Sequence, residues 1–148
     1  MRENINFEDN VRVRHFNKYG ELIDEWTSHN QTQDAVLDEV IDALDTGSSN
    51  AIVTMAIGTG SGAGTPSANL NTLVSYETGA AVTTTQAGDG ESAEFSTTFT
   101  AQDSWTITEA CLSTAADGAS GMMFYDDSIS VGMSSGDTLQ IDWTVSVS

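Results

Sequence analysis

The stretch Thr138–Val147, Thr-Leu-Gln-Ile-Asp-Trp-Thr-Val-Ser-Val, alternates polar and apolar residues at every step. Successive side chains of a β-strand point to opposite faces, so this alternation predicts a half-buried strand, here over residues 137–147. The apolar face of that strand would comprise Leu139, Ile141, Trp143, Val145 and Val147.

A hairpin is predicted near the start of the chain. Residues 11–16, Val-Arg-Val-Arg-His-Phe, also alternate, and Asn17-Lys-Tyr-Gly20 has the composition of a turn. The segment from Glu21 to Trp26, with Leu22 among its apolar members, then reads as the returning strand.

The rest of the chain predicts further short strands and one helix. The strands are expected at 51–57, 81–87, 92–100, 104–113, 121–125 and 127–133. An amphipathic helix is expected over 33–45, between a Thr32 cap and Gly47. Its apolar face would comprise Leu37, Val40, Ile41 and Leu44, with Val36 beside them.

Many short strands in succession indicate a mainly β fold, an antiparallel β-sandwich or jelly-roll-like arrangement with one N-terminal amphipathic helix. A chain of 148 residues is expected to form one domain over 1–148. Within it we expect an N-terminal hairpin or arm (1–30), the helix (31–47) and the β-sandwich (51–148).

Charge is the strongest compositional signal. Twenty-two Asp and Glu face four Lys and Arg, giving a formal net charge of -18, and positions 19–148 contain no Lys or Arg. For a sphere of radius about 19 Å, self-repulsion amounts to about 10 kcal/mol at ordinary salt. In multimolar salt it falls to about 3–4 kcal/mol.

Because domains are stable by only about 5–15 kcal/mol, the composition favours a protein from a halophile or from a virus that infects one. The alternative is an acidic protein that binds calcium or a basic partner.

The same charge argues against some partners. Nucleic acid and anionic membranes would repel this surface, and no apolar run approaches the roughly 20 residues of a membrane span. The first residues lack the apolar core of a secretory signal, so synthesis in the host cytoplasm without export is expected. The lone Cys111 permits no internal disulfide.

Candidate sites are few, and no catalytic or cofactor-binding residue is predicted. Gly58–Gly64 lacks the Gly-Lys-Ser/Thr of a P-loop and reads as a flexible turn. Cys111 could act as a nucleophile with His15 or His29, but its apolar strand favours a small buried residue. Trp26, Trp105 and Trp143 could form a sugar-stacking platform, although their strand positions favour core packing.

Two acidic positions are weak candidates for a structural Ca²⁺ or Mg²⁺. Asp126 and Asp127 are adjacent, and Asp89 and Glu91 flank a glycine. Carboxylate oxygens suit both ions, but neither position resembles a complete calcium loop.

The order of several short motifs resembles a known group of proteins. An Asn-x-x-Gly turn (17–20) and an amphipathic helix precede Ala-Ile-Gly-Thr-Gly (56–60), Thr-Pro-Ser (65–67) and Leu-x-x-Leu (70–73). Ile-Thr-Glu-Ala-Cys-Leu (107–112) and Ser-Gly-Asp-Thr-Leu-Gln-Ile-Asp-Trp-Thr-Val (135–145) follow. This succession resembles small β-rich structural proteins on the heads or tails of tailed phages and haloarchaeal tailed viruses. The resemblance implies a non-enzymatic, oligomeric module.

Composition and resemblance together lead to one functional hypothesis. The chain would be a capsid-surface turret or decoration protein of a virus infecting a halophilic archaeon, located in the virion. Its partners would be its own copies, as a trimer or pentamer, together with the major capsid protein and the host cell surface. A tail or fibre component is the next alternative, and a halophilic carbohydrate-binding or adhesion module is the third.

The four cations give this hypothesis its local feature. Arg2, Arg12, Arg14 and Lys18 all lie in the first eighteen residues and could dock onto an acidic shell protein. The alternative, equally open, is that they pair with the neighbouring Glu3, Glu8 and Asp9.

The charge estimate predicts that stability rises with salt. Between about 0.2 and 3 M NaCl we expect the melting temperature to rise by about 10 °C or more, since relief of about 1 kcal/mol shifts it by about 2–4 °C. Circular dichroism measures the transition. Sucrose at matched osmolality is the control, because it favours the compact state without screening charge. A flat response to NaCl would contradict the halophilic interpretation.

Overall fold

The computed structural model describes residues 7–28, 31–32, 36, 44–45, 51–59, 73–76, 83–86, 92–114 and 122–147. Within these residues the chain forms twelve strands, and each strand pair is antiparallel. The strands are β1 (Phe7–Phe16), β2 (Leu22–Ser28), β3 (Gln31–Thr32), β4 (Thr54–Gly58), β5 (Leu73–Tyr76), β6 (Thr83–Gln86), β7 (Ser92–Thr100), β8 (Trp105–Ile107), β9 (Glu109–Ser113), β10 (Met122–Asp126), β11 (Val131–Met133) and β12 (Thr138–Val147).

The strands form two five-stranded sheets and a two-stranded ribbon. The first sheet has the order β2-β1-β12-β7-β6, the second has the order β3-β10-β9-β4-β5, and β11 pairs with β8. The prediction of a mainly β, antiparallel fold is therefore confirmed. The hairpins β1–β2 and β6–β7 belong to the first sheet, and the hairpins β4–β5 and β9–β10 belong to the second. The chain therefore changes sheets between successive hairpins.

The first sheet is built around β12. Its ten residues pair with all ten of β1, from Phe7 opposite Val147 to Phe16 opposite Thr138, and its other side pairs with β7. Leu139, Ile141 and Trp143 are fully buried, as the alternation predicts.

Both sheets contribute to one hydrophobic core, the arrangement expected when two sheets pack face to face. The buried cluster comprises Val11, Val13, Val36, Met55, Ile57, Phe99, Ala101, Ile107, Ala110, Leu112, Met123, Phe124, Ile129, Val131, Met133, Leu139, Ile141 and Trp143. The face of the first sheet that points away from this cluster is called the outer face below.

Two inner strands of the second sheet, β9 and β4, are buried on both of their faces. Every residue of β4 and β9 is buried. Ala110 and Leu112 of β9 belong to the core cluster, while Glu109, Cys111 and Ser113 on the other side of the strand are equally inaccessible. Solvent therefore meets the first sheet and not the middle of the second.

Most predicted strands are present, β3 and β5 were not predicted as strands, and two predicted strands differ in extent. The strand predicted over 104–113 is divided at Thr108, whose N–H donates to Gly58 O (2.9 Å), so that β8 and β9 join different sheets. The strand predicted over 127–133 comprises only Val131–Met133. The side chain of Asp126 accepts a hydrogen bond from Ser128 N and forms a turn, so residues 127–130 do not join the β11 ladder.

The predicted N-terminal hairpin is confirmed, and it is an integral part of the first sheet rather than an arm. Asn17 Oδ1 accepts from the backbone N–H groups of Tyr19 (2.9 Å) and Glu21 (3.0 Å). Gly20 has a φ of 80°, a conformation that favours glycine. β1 then lies in the interior of the sheet, between β2 and β12.

The helix predicted over 33–45 falls almost wholly outside the described residues and stays a prediction. Val36 is buried in the core cluster. Leu44, which was assigned to the apolar face of that helix, is 79% exposed. The predicted glycine-rich turn is described only at Gly58 and Thr59.

A buried polar contact ties together the ends of the central strands. His15 Nε2 lies 2.9 Å from Asp137 Oδ2, and the same carboxylate accepts from Ser134 N at 2.9 Å. The backbone carbonyl of Asp137 accepts from Ala101 N, just after β7, at 2.9 Å, and Asp137 N donates to Ser134 O at 3.0 Å. The Ser134 amide, and then the His15 side chain, lower the pKa of Asp137 below its usual value.

Because the folded state lowers the pKa of Asp137, this carboxylate stabilises the fold above its unfolded pKa, and the stabilisation is lost as the pH falls through the lower folded pKa. Replacing Asp137 by Asn should reduce the free energy of unfolding by about 1–2 kcal/mol at neutral pH. The difference from wild type should close below about pH 4. Asp127→Asn is the matched control, since it removes the same charge from an exposed position. Urea titrations across the pH range provide the measurement, and equal effects of both variants would contradict the role of Asp137.

Candidate functional site

The described cations all lie on β1 or on the turn that follows it. Arg12 and Arg14 are on β1, and Lys18 is in the β1–β2 turn. Arg2, the fourth predicted docking residue, lies outside the described residues. Val11 and Val13 alternate with the two arginines and are fully buried, so the pleat of β1 directs both guanidinium groups to the outer face.

The two arginines border an open polar groove of about 460 Å³ on the outer face. Four neighbouring strands contribute to it, and every lining side chain is polar or charged. The lining residues are Asn10, Arg12, Arg14, Thr27, Glu94, Ser96, Gln140, Asp142 and Thr144. Such a surface suits polar contacts with a large partner better than enclosure of an apolar ligand.

Arg14 forms the more buried of two ion pairs at the groove. Its terminal nitrogen lies 3.0 Å from Asp142 Oδ2, and the two side chains are 25% and 12% exposed. Gln140 Nε2 donates to the other oxygen of Asp142 at 3.3 Å. Arg14 Nε is buried without a hydrogen-bond partner among the described residues, so the guanidinium is only partly satisfied.

Arg12 forms the more exposed pair. It contacts Glu25 Oε1 on β2 at 2.9 Å, with side chains 48% and 38% exposed. The alternative that the cations pair with acids close in sequence is therefore wrong for Arg12 and Arg14. Their partners come from the adjacent strands, because residues opposite each other on neighbouring strands lie closer than residues two positions apart on the same face of β1.

Lys18 is exposed at the tip of the hairpin. Its ammonium lies 5.2 Å from the centroid of the Tyr19 ring, within the range of a cation–π contact. The Tyr19 side chain is 76% exposed. The hairpin tip therefore presents one cation beside one solvent-accessible aromatic ring.

The acidic residues considered for Ca²⁺ or Mg²⁺ are not assembled into a ligand cage in the described part of the chain. Asp126 is buried and accepts hydrogen bonds from Ser28 Oγ and from Ser128 N and Oγ, while Asp127 is exposed. Asp89 and Glu91 lie outside the described residues. Among the residues that are described, no three His, Cys, Asp or Glu side chains are grouped as metal ligands would be.

The residues considered for nucleophilic chemistry and sugar stacking occupy core positions. Cys111 is fully buried, as predicted for a small core residue. Trp143 is fully buried, and Trp26 and Trp105 are half-buried against the core cluster. The prediction of core packing is confirmed for these tryptophans, which do not form an exposed platform.

Two buried acids were not singled out from the sequence. Glu109 is fully buried on β9 and accepts a hydrogen bond from Tyr125 OH at 3.0 Å. A charged residue in the middle of the apolar stretch 107–112 was the available signal. Asp137 carried no comparable signal, since Ser-Gly-Asp between strands also reads as an ordinary turn.

Comparison with known proteins gives no relative for this chain: no family model, no curated protein and no solved structure matches it.

The two ion pairs should contribute unequally to stability. Arg14→Gln leaves the poorly solvated Asp142 carboxylate unpaired and should reduce the free energy of unfolding by about 1–3 kcal/mol. Arg12→Gln removes the same charge from an exposed pair and should change it by less than about 1 kcal/mol. Urea unfolding in about 2 M NaCl, where exposed pairs are screened, separates the two effects. Similar losses for both variants would show that burial does not distinguish these pairs.

Proposed function

We propose that this chain is a non-enzymatic structural protein of a virus that infects a halophilic archaeon, and specifically a turret or decoration protein on the capsid surface. The net charge of -18 supports a halophilic origin, because concentrated salt screens the repulsion between crowded copies. The motif succession described above supports the virion assignment.

The observation that carries a docking role is the location of the cations. Arg12 and Arg14 lie on the solvent-facing side of the first sheet, and Lys18 lies at the tip of the hairpin joined to it. An acidic shell protein would meet the least repulsion here, because positions 19–148 offer no Lys or Arg. The polar groove would supply hydrogen-bonding groups to the same contact.

The fold fits a scaffold that presents surface. β4 and β9 of the second sheet are buried on both faces, and the first sheet exposes a broad polar face. We infer that the complete domain is a jelly-roll-like sandwich with the 33–45 helix, assembled as a trimer or pentamer beside the major capsid protein. No helix in the described part of the chain has the length and apolar character needed to cross a membrane.

A tail or fibre component is the alternative within the same particle. The two positions differ in copy number, since a surface protein covers the shell while a tail component is present in few copies. The outer face and its cations are compatible with either position.

Quantitative mass spectrometry of purified particles tests the assignment. We expect the chain in the particle fraction, at a copy number comparable with that of the major shell protein. A few copies per particle would identify the tail alternative. Absence from particles, with the chain abundant in infected cells, would overturn the virion assignment. Washing particles in low salt provides a further readout, since a decoration protein should be released before the shell dissociates.

A further inference from the structure

β2 is an edge strand that presents apolar side chains to solvent. In the described part of the chain β2 pairs only with β1, at one end of the first sheet. Leu22 and Ile23 are 52% and 54% exposed, and Tyr19 is exposed just before them. An open edge with accessible apolar residues is a ready template for pairing with another strand.

The charges around β2 favour another copy of this chain as the occupant. Each copy carries a charge of -18, so two copies approach best where negative charge is offset. Arg12 and Arg14 lie on the strand beside β2, and Lys18 lies in the turn that leads into it. These three cations offset the acids beside them, Glu21, Asp24, Glu25 and Asp142, so the edge carries little net charge for so acidic a chain.

We propose that β2 pairs edge to edge with β2 of a second copy, antiparallel and about a two-fold axis. β2 pairs regularly with β1 from Asp24 to Ser28, and the β1–β2 register shifts at Ile23. The register that overlaps all seven residues is centred on Glu25, so that its central pairs fall in the regular part of the strand. It places Leu22 opposite Ser28, Ile23 opposite Thr27 and Asp24 opposite Trp26 of the other copy. Glu25 then faces its own counterpart and is the single like-charged pair across the interface.

Arg12 would reduce the repulsion between the two Glu25 carboxylates at the centre of this register. The carboxylate of Glu25 is held by Arg12 of its own chain, with N–O distances of 2.9 and 3.0 Å. Each copy therefore brings a neutralised ion pair to the axis. The backbone N–H of Glu25 donates to Asp24 Oδ1 at 2.9 Å, a local cap that a hydrogen bond to the second copy would replace.

The contact would join two five-stranded sheets into one antiparallel sheet of ten strands. It differs from the threefold or fivefold contact proposed for the virion and does not depend on that assignment. Main-chain hydrogen bonds and apolar contacts would hold it, and these are weakened little by salt, in contrast to ion pairs.

Disulfide trapping tests the register directly. In Glu25→Cys the two thiols would be opposite each other, with Cα atoms about 4.5–5.5 Å apart, within the range of a disulfide. In Ile23→Cys the two Cα atoms would be offset by four positions, about 13 Å. We expect rapid covalent dimerisation of Glu25→Cys under mild oxidation and little of Ile23→Cys. Wild type, in which Cys111 is buried, is the background control.

Mixing Ile23→Cys with Thr27→Cys provides a second check. The two positions face each other in the proposed register, so the mixture should form a heterodimer that neither variant forms alone. Equal cross-linking of Glu25→Cys and Ile23→Cys would indicate random collision and would overturn the register.

Sedimentation equilibrium tests the energetics in the unmodified chain and in folded variants. Ile23→Thr keeps the β propensity and should weaken dimerisation by about tenfold or more, because each dimer contains two altered side chains. Val53→Thr is the matched control, since Val53 is also exposed but lies outside β2. Circular dichroism confirms that each variant is folded.

The role of Arg12 is tested by a pair of charge variants. Arg12→Gln leaves two bare carboxylates facing each other and should weaken dimerisation by about twofold to fivefold at low salt. Arg12→Gln combined with Glu25→Gln should restore it, as should high salt. A chain that remains monomeric to about 1 mM in high salt, or a dimer insensitive to both Ile23→Thr and Arg12→Gln, would overturn the proposal.

Discussion

The first sheet depends on the register between β12 and its two neighbours. Leu139, Ile141 and Trp143 supply its buried row, and pairing with β1 places Val11 and Val13 in the same layer. A slip of one residue would exchange the two faces of β1 and force its arginines into the core. The burial of one row of apolar side chains therefore determines the face on which Arg12 and Arg14 lie.

The buried acids show how a strongly acidic chain can still form a polar interior. Glu109 is held by Tyr125, and Asp126 accepts from two serines. Asp137 is held by His15 and by a turn amide. Burial of a carboxylate is unfavourable unless hydrogen bonds replace its hydration, and each of these three has such donors. The remaining repulsion falls on the surface, where electrolyte can screen it.

Local sequence was a good guide to strands and a poor guide to their partners. The stretch 92–100 was predicted with its observed bounds, because its composition and its limits are local properties. The break at Thr108 depends on a hydrogen bond to Gly58, fifty positions away, and the two-residue β3 exists only beside β10. Neither leaves a periodic signal in the sequence.

The candidate site shows the same division. Alternation around Val11 and Val13 was enough to place Arg12 and Arg14 on a solvent-facing side. Their partners on β2 and β12 could not be predicted, because sheet order is a long-range property that no local pattern encodes. The sequence also did not predict that Leu22 and Ile23 are exposed. Apolar residues in a strand indicate burial unless the strand is known to lie at the edge of a sheet.

Salt constrains the kind of contact that such a protein can use. In brine the exposed Arg12–Glu25 pair contributes little energy by itself, because mobile ions compete with both groups. Main-chain hydrogen bonds and apolar burial keep their strength or gain it under the same conditions. A durable contact between copies therefore requires an open strand edge or an apolar patch, and β2 combines the two. In the proposed dimer the arginines would have a different role: they would offset negative charge where two acidic surfaces approach, which would determine the place of contact more than its strength.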